Sequence, residues 1–109
     1  MQASLDALAE PRRREILALI RDRELPAGEI AANFDVTRSA ISQHVGVLKH
    51  AGLVTERREG TKRLYRARPE GLADLRAFLD EFWSERLDVL VREAQREERR
   101  RKHDRASDD

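Results

Sequence analysis

Apolar and polar positions alternate along this chain in a helical rhythm, broken once by a strand-like stretch. Leu5 and Leu8 stand three apart and predict a short helix over Ser4–Ala9. Pro11 suits the first position of the next helix, where its missing N–H costs nothing. That helix is expected to reach about Arg23, burying Ile16, Leu17, Leu19 and Ile20 and leaving Arg12, Arg13, Arg14 and Arg21 in water. Arg12 to Arg14 lie near its N-terminus, the unfavourable end for cations, and are read as solvated. Pro26 breaks the run and biases Leu25 towards an extended backbone.

A short helix is predicted over Ala27–Asn33, with Ile30 and Ala31 inward, Phe34 plugging the core and Asp35-Val36 forming a turn. Thr37 is a good N-cap for a helix over Arg38–His50, and Gly52 ends it as a C′ glycine. Leu53–Arg58 and Thr61–Arg68 read as strands with Glu59-Gly60 at their turn. A long helix then begins near Glu70 and runs to about Arg99. Leu72, Leu75, Phe78, Leu79, Phe82, Trp83, Leu87, Leu90 and Ala94 recur in it at three- and four-residue steps. Beyond Glu93 the rhythm dissolves into QREERRRKHDRASDD, read as frayed helix and then a disordered tail. Residues 1–99 are thus expected to form one domain and 100–109 a charged tail, with the Arg99–Lys102 cluster solvated.

The long stripe is wide for a chain of 109 residues. A core of that size cannot easily hide all of it, which points to a second copy of the chain. Leu5, Leu8, Leu75, Phe78, Leu79, Phe82, Trp83, Leu87 and Leu90 are the candidates for that interface.

Composition narrows the chemistry. There is no cysteine, which excludes disulfides, thiolate metal sites and a cysteine nucleophile. No apolar run approaches the roughly 18 residues of a membrane span, and the N-terminus lacks a signal-peptide pattern. A cytoplasmic protein is expected. The net charge of +1 says little, but its distribution says more. From Val36 to Arg68 there are eight basic residues against two acidic, whereas from Pro69 onward there are nine against twelve. A basic middle segment fits a polyanion, although a solvated surface of mixed sign gives the same count.

The Arg38–His50 helix separates the two. With Ile41 at the centre of the inner face, Val45 and Leu48 fall beside it, while Ser39, Gln43, Gly46 and His50 fall opposite, flanked by Ser42 and Lys49. No acidic residue occurs from Thr37 to Leu53. Ordinary surface helices carry glutamate and lysine there; this one presents short polar groups and an amide. Gln43 can donate to and accept from a base edge, and Ser39, Ser42 and Arg38 can reach bases or phosphates. Arg57, Arg58, Lys62 and Arg63 cluster at the neighbouring hairpin tip, within reach of an adjacent groove or backbone. The fold class is therefore mainly α with a small β wing: a winged helix-turn-helix with a two-stranded hairpin and a long C-terminal dimerisation helix.

At these residues the chain resembles the ArsR/SmtB family of bacterial winged helix-turn-helix repressors. The likeness spans about Leu5 to Leu90 and is densest in EPRRREIL, TRSAISQHVGVLKHAGLV and REGTKRLYR. Thr37, Ile41, Ser42, Gln43, His44, Leu48, Ala51, Gly52, Leu53 and Val54 match the family pattern position by position. The resemblance implies a homodimer that places two recognition helices in successive major grooves of a palindromic operator. It further implies that Arg38, Ser39, Ser42, Gln43 and His44 read DNA and that the wing arginines Arg57, Arg58 and Arg63 grip the backbone; Lys49 and Lys62 complete the expected DNA-binding set. His44 projects sideways from the helix, so its place among the readers is less direct.

The departures are informative. Metal sensors of that family carry cysteine pairs before the turn, or histidine and carboxylate ligands on the terminal helix. Here ELPAGEIAANF has neither Cys nor His, and the terminal helix has no His before His103. No metal and no cofactor are expected. Glu10 stands where the family often has Asp, and Gly46 where it often has a basic residue. A protein-interaction module using the aromatic terminal helix is the alternative function, and a non-specific DNA coat a further one that the near-neutral total charge disfavours. No phosphate loop or nucleophile–base pair suggests an enzyme. The operator and any small-molecule or protein effector stay open.

Overall fold

The computed structural model describes residues 1–107. The order is α1 (Gln2–Leu8), α2 (Pro11–Leu19), α3 (Ala27–Ala31), α4 (Arg38–His50), β1 (Val54–Glu59), β2 (Lys62–Ala67) and α5 (Pro69–Ser107). Two compact units emerge, residues 1–75 and residues 76 onward, with the boundary inside α5.

In the first unit, Ile16, Ile20, Ile30, Ile41, Val45, Leu48 and Leu53 are fully buried. They come from α2, α3 and α4 and their flanks, so the core sits directly behind the inner face of α4. Each fully buried aliphatic side chain contributes about 1.5–3 kcal/mol of hydrophobic stabilisation.

α2 stops at Leu19, four residues before the expected end. The Ile20 carbonyl leaves the helical pattern to accept from the Ala67 N–H at 3.1 Å, which ties the end of α2 to β2. Arg13 and Arg14 have a role the sequence did not show. Their guanidiniums donate to the carbonyls of Ala7 and Leu8, the open C-terminal end of α1. Cations at the wrong end of one helix thus serve the right end of another.

β1 and β2 pair antiparallel from Val54↔Ala67 to Glu59↔Lys62. The loop residues are Gly60 and Thr61, one position later than expected. Gly60 has φ 63° and Thr61 does not share the positive φ, the pattern of a type II′ hairpin. Leu25, expected to be extended, exchanges two backbone hydrogen bonds with Tyr65 and lengthens the sheet by one bridge.

In the second unit α5 continues as helix beyond Arg99, through Ser107, where a disordered tail was expected. Ion pairs at i, i+4, Arg101–Glu97 and Lys102–Glu98, replace the missing apolar stripe as its local support. The last two residues of the expected tail, Asp108 and Asp109, lie outside the described residues. Among the described residues no helix is long and apolar enough to cross a membrane.

Candidate nucleic-acid interface

α3, the turn after it and α4 form a helix-turn-helix, and α4 is fixed at both ends. Thr37 accepts the Ala40 N–H at 3.1 Å and caps the N-terminus. At the other end Gly52, with φ 80°, donates its N–H to Lys49 O, and the Leu53 N–H reaches Leu48 O. This pair of bonds is a Schellman motif, and buried Leu48 and Leu53 are its hydrophobic partners. Ser4 on α1 donates its hydroxyl to Ala51 O. Lys49 and His50 occupy the last turn, where the helix dipole favours cations.

Held this way, α4 turns Ile41, Val45 and Leu48 inward and leaves Ser39, Ser42, Gln43, Gly46 and His50 exposed, as the spacing predicted. Arg38 is exposed in its first turn. His44 is different. It is half-buried, and its Nδ1 accepts from Arg13 Nε at 3.2 Å, so it joins α4 to α2. Val47, which the helical pattern had not singled out, is exposed on the same flank of α4 as His44. On the other flank a cleft of about 590 Å³ opens between α4 and the wing, with Arg38, Ser42, Lys62, Arg63 and Tyr65 among its walls.

The basic residues divide into two groups. Lys49 Nζ lies 2.6 Å from Glu56 Oε2. Arg57 contacts both oxygens of Glu24, at 2.9 and 3.2 Å, and also Glu59 at 3.3 Å. Arg63 Nε lies 3.6 Å from Glu56 Oε1. Among the described residues Arg38, Arg58 and Lys62 have no acidic partner within ion-pair distance. Arg58 stands directly opposite Arg63 in the hairpin, a like-charge pair that ordinarily destabilises a sheet.

Hydrogen bonds from Arg57 and from Lys49 hold the carboxyls of Glu24 and Glu56, respectively, below the usual carboxylate range, against a smaller opposing effect of burial. Depressed carboxylate values mean that these pairs support the fold above the ordinary range and lose that effect as the pH falls below it. Glu24 in turn raises the Arg57 guanidinium above its ordinary value. Glu24 and Glu56 are the site residues the sequence reading missed. The only sequence signal was that Glu56 and Glu59 are the sole acids in the basic segment.

Of the residues expected at a dimer interface, Leu75 is buried within the chain. Leu5, Leu8, Phe78 and Leu79 are half-buried, and Phe82, Trp83, Leu87 and Leu90 are exposed. Val89 and Val91 are exposed beside them. Among the described residues no group of three or more histidine or carboxylate side chains is disposed to hold a metal ion.

Residues 8–57 match a family model described as a helix-turn-helix domain. The chain is 47% identical over 81 residues to the HTH-type transcriptional regulator Rv2034 of Mycobacterium tuberculosis, covering 74% of this chain and 76% of that one. A crystal structure described as a possible transcriptional regulator for arsenical resistance superposes with TM-score 0.72 at 50% identity, over 81% of this chain and 92% of that one. The homodimeric winged helix-turn-helix DNA-binding domain of a possible ArsR-family regulator from Mycobacterium bovis superposes with TM-score 0.63 at 34% identity, over 77% and 78%.

Proposed function

Because this chain belongs to the ArsR family of winged helix-turn-helix transcriptional regulators, we propose that it is a homodimeric repressor that reads a palindromic operator through α4. The observation that carries the reading is the outward face of α4. Ser39, Ser42 and Gln43 stand exposed on a helix pinned at both ends, beside a wing whose Arg58 and Lys62 have no acid paired with them among the described residues. A rigid helix of this kind can enter a major groove, where Gln43 bonds the edge of an adenine and Arg38 reaches a base or a phosphate. Arg58, Lys62 and, after release from their carboxylates, Lys49, Arg57 and Arg63 face the backbone. His44 supports the reading helix through Arg13 and touches bases less directly than Gln43. The exposed aromatic and aliphatic residues of α5 join the two copies, which sets the half-site spacing. Repression follows from occupancy: a dimer across a promoter excludes polymerase. Catalysis has no part in this reading.

Selection from random duplex DNA with the purified protein tests it. Enrichment of a palindrome with half-sites about 10 base pairs apart, centre to centre, is expected. Affinity should fall steeply with salt, by about 10³-fold or more between 50 and 200 mM if 6–10 phosphates are neutralised by the dimer. Gln43→Ala should relax preference at one base pair per half-site, and Arg58→Ala should weaken all sequences alike. Absence of any enriched sequence, or a flat salt response, would overturn the proposal. Equal loss on every operator variant would remove Gln43 from the readers.

A further inference from the structure

Glu56 sits at the junction of the two DNA-facing elements and is the most enclosed carboxylate of the wing's ion pairs, with 18% of its side chain exposed. Both of its oxygens are engaged. Oε2 takes Lys49 Nζ from the last turn of α4 at 2.6 Å. Oε1 accepts from the Tyr65 hydroxyl at 3.4 Å and lies 3.6 Å from Arg63 Nε on β2. Glu56, Arg58, Arg63 and Tyr65 share one face of the hairpin, because Glu56 pairs with Tyr65 and Arg58 with Arg63. A phosphate approaching between α4 and the wing therefore meets two cations already bound to a carboxylate.

We propose that Glu56 is a specificity-determining residue of the DNA-binding face, an internal counter-charge that withholds Lys49 and Arg63 from duplex of the wrong sequence. The proposal rests on the DNA-binding reading above. Its physical basis is that non-specific binding is almost wholly the release of counterions from phosphates, whereas specific binding adds base contacts. Two cations closed on an internal acid subtract from the first and leave the second intact. Tyr65 adds a neutral donor that keeps the carboxylate in place. Arg38, Arg58 and Lys62, which no acid among the described residues holds, remain to engage the backbone of any duplex.

The test uses Glu56→Gln in the full chain, with fluorescence anisotropy on the selected palindrome and on a scrambled duplex of equal length between 50 and 400 mM KCl. Gln keeps the size of the side chain and an acceptor for Tyr65, and a thermal melt checks the fold. The variant is expected to bind the scrambled duplex about tenfold or more tighter at low salt. Its slope of log affinity against log salt should steepen by up to about 2 per protomer, since each phosphate contact contributes about 0.9. The ratio of specific to non-specific affinity should fall. Lys49→Gln should cost scrambled-duplex binding more in the Glu56→Gln background than in the wild-type chain.

Unchanged affinity and slope, or weaker binding to both duplexes with the fold intact, would overturn the proposal and make Glu56 a scaffold residue. If Glu56→Gln does not fold, the comparison moves to single variants. Lys49→Gln should lower the scrambled-duplex slope by less than Arg58→Gln, and an equal reduction would overturn the proposal. A wild-type chain that binds neither duplex at 50 mM KCl would instead sink the DNA-binding reading, and the role of Glu56 with it.

Discussion

Gly46 lies on the outer face of α4, in the middle of the helix, where glycine costs about 1 kcal/mol relative to alanine. A Cβ added there would meet nothing within 4 Å among the described residues, which offer no steric reason for glycine. A reason remains if the backbone of α4 must approach a base pair closely. Gly46→Ala is then expected to raise the unfolding free energy by about 0.5–1 kcal/mol in urea, while operator affinity drops about tenfold. Greater stability with unchanged affinity would show that the glycine serves no approach. The outer and inner residues of α4 were legible in the sequence because a helix repeats every 3.6 residues and hides one face. The charge pairing was not. Arg13 reaches His44 across 31 positions and Arg57 reaches Glu24 across 33. No local rhythm encodes such pairs. A charge count therefore treated Lys49, Arg57 and Arg63 as equivalent to Arg58 and Lys62, although the first three already have partners.

Elements were legible where a local signal closes them. Thr37 and Gly52 delimited α4 because capping is chemistry between near neighbours. The end of α2 differs from the expectation because it depends on a group elsewhere, and that of α5 because local i, i+4 ion pairs continue where the apolar rhythm stops. The Ala67 N–H draws the Ile20 carbonyl out of α2. The join between α4 and α5 is of the same long-range kind. Gly71, in the first turn of α5, packs so closely on Gly52 that an added Cβ would run into the Gly52 carbonyl. That carbonyl also accepts from Arg68 Nη1 at 3.3 Å, so it is not free to swing away. Gly71→Ala is expected to destabilise the fold by about 1–3 kcal/mol, the range for overpacking a fitted contact, read from urea denaturation. A neutral result would mean that the first turn of α5 can slide without disturbing the end of α4.

At the scale of the whole molecule, the second unit exposes an apolar surface among its described residues. Phe82 stands edge-on to Trp83 at 5.3 Å and stacked on Phe78 at 6.0 Å. Trp83, Leu87, Leu90 and Val91 are each about half exposed, an arrangement that marks an association surface. In the proposed dimer this surface makes the second half-site an intramolecular target, at an effective concentration of the order of millimolar, with no new DNA contact. Trp83→Glu would place a charge in that seam. It is expected to turn a micromolar dimer into a monomer in sedimentation equilibrium. Affinity for the full palindrome should then fall about 100-fold, at the lower end of the gain that such linkage provides, and far more than affinity for a single half-site. Equal losses on the two duplexes would mean that Trp83 acts through folding and not through pairing. A wild-type chain that sediments as a monomer would overturn the dimer and leave the aromatic face to a heterologous partner.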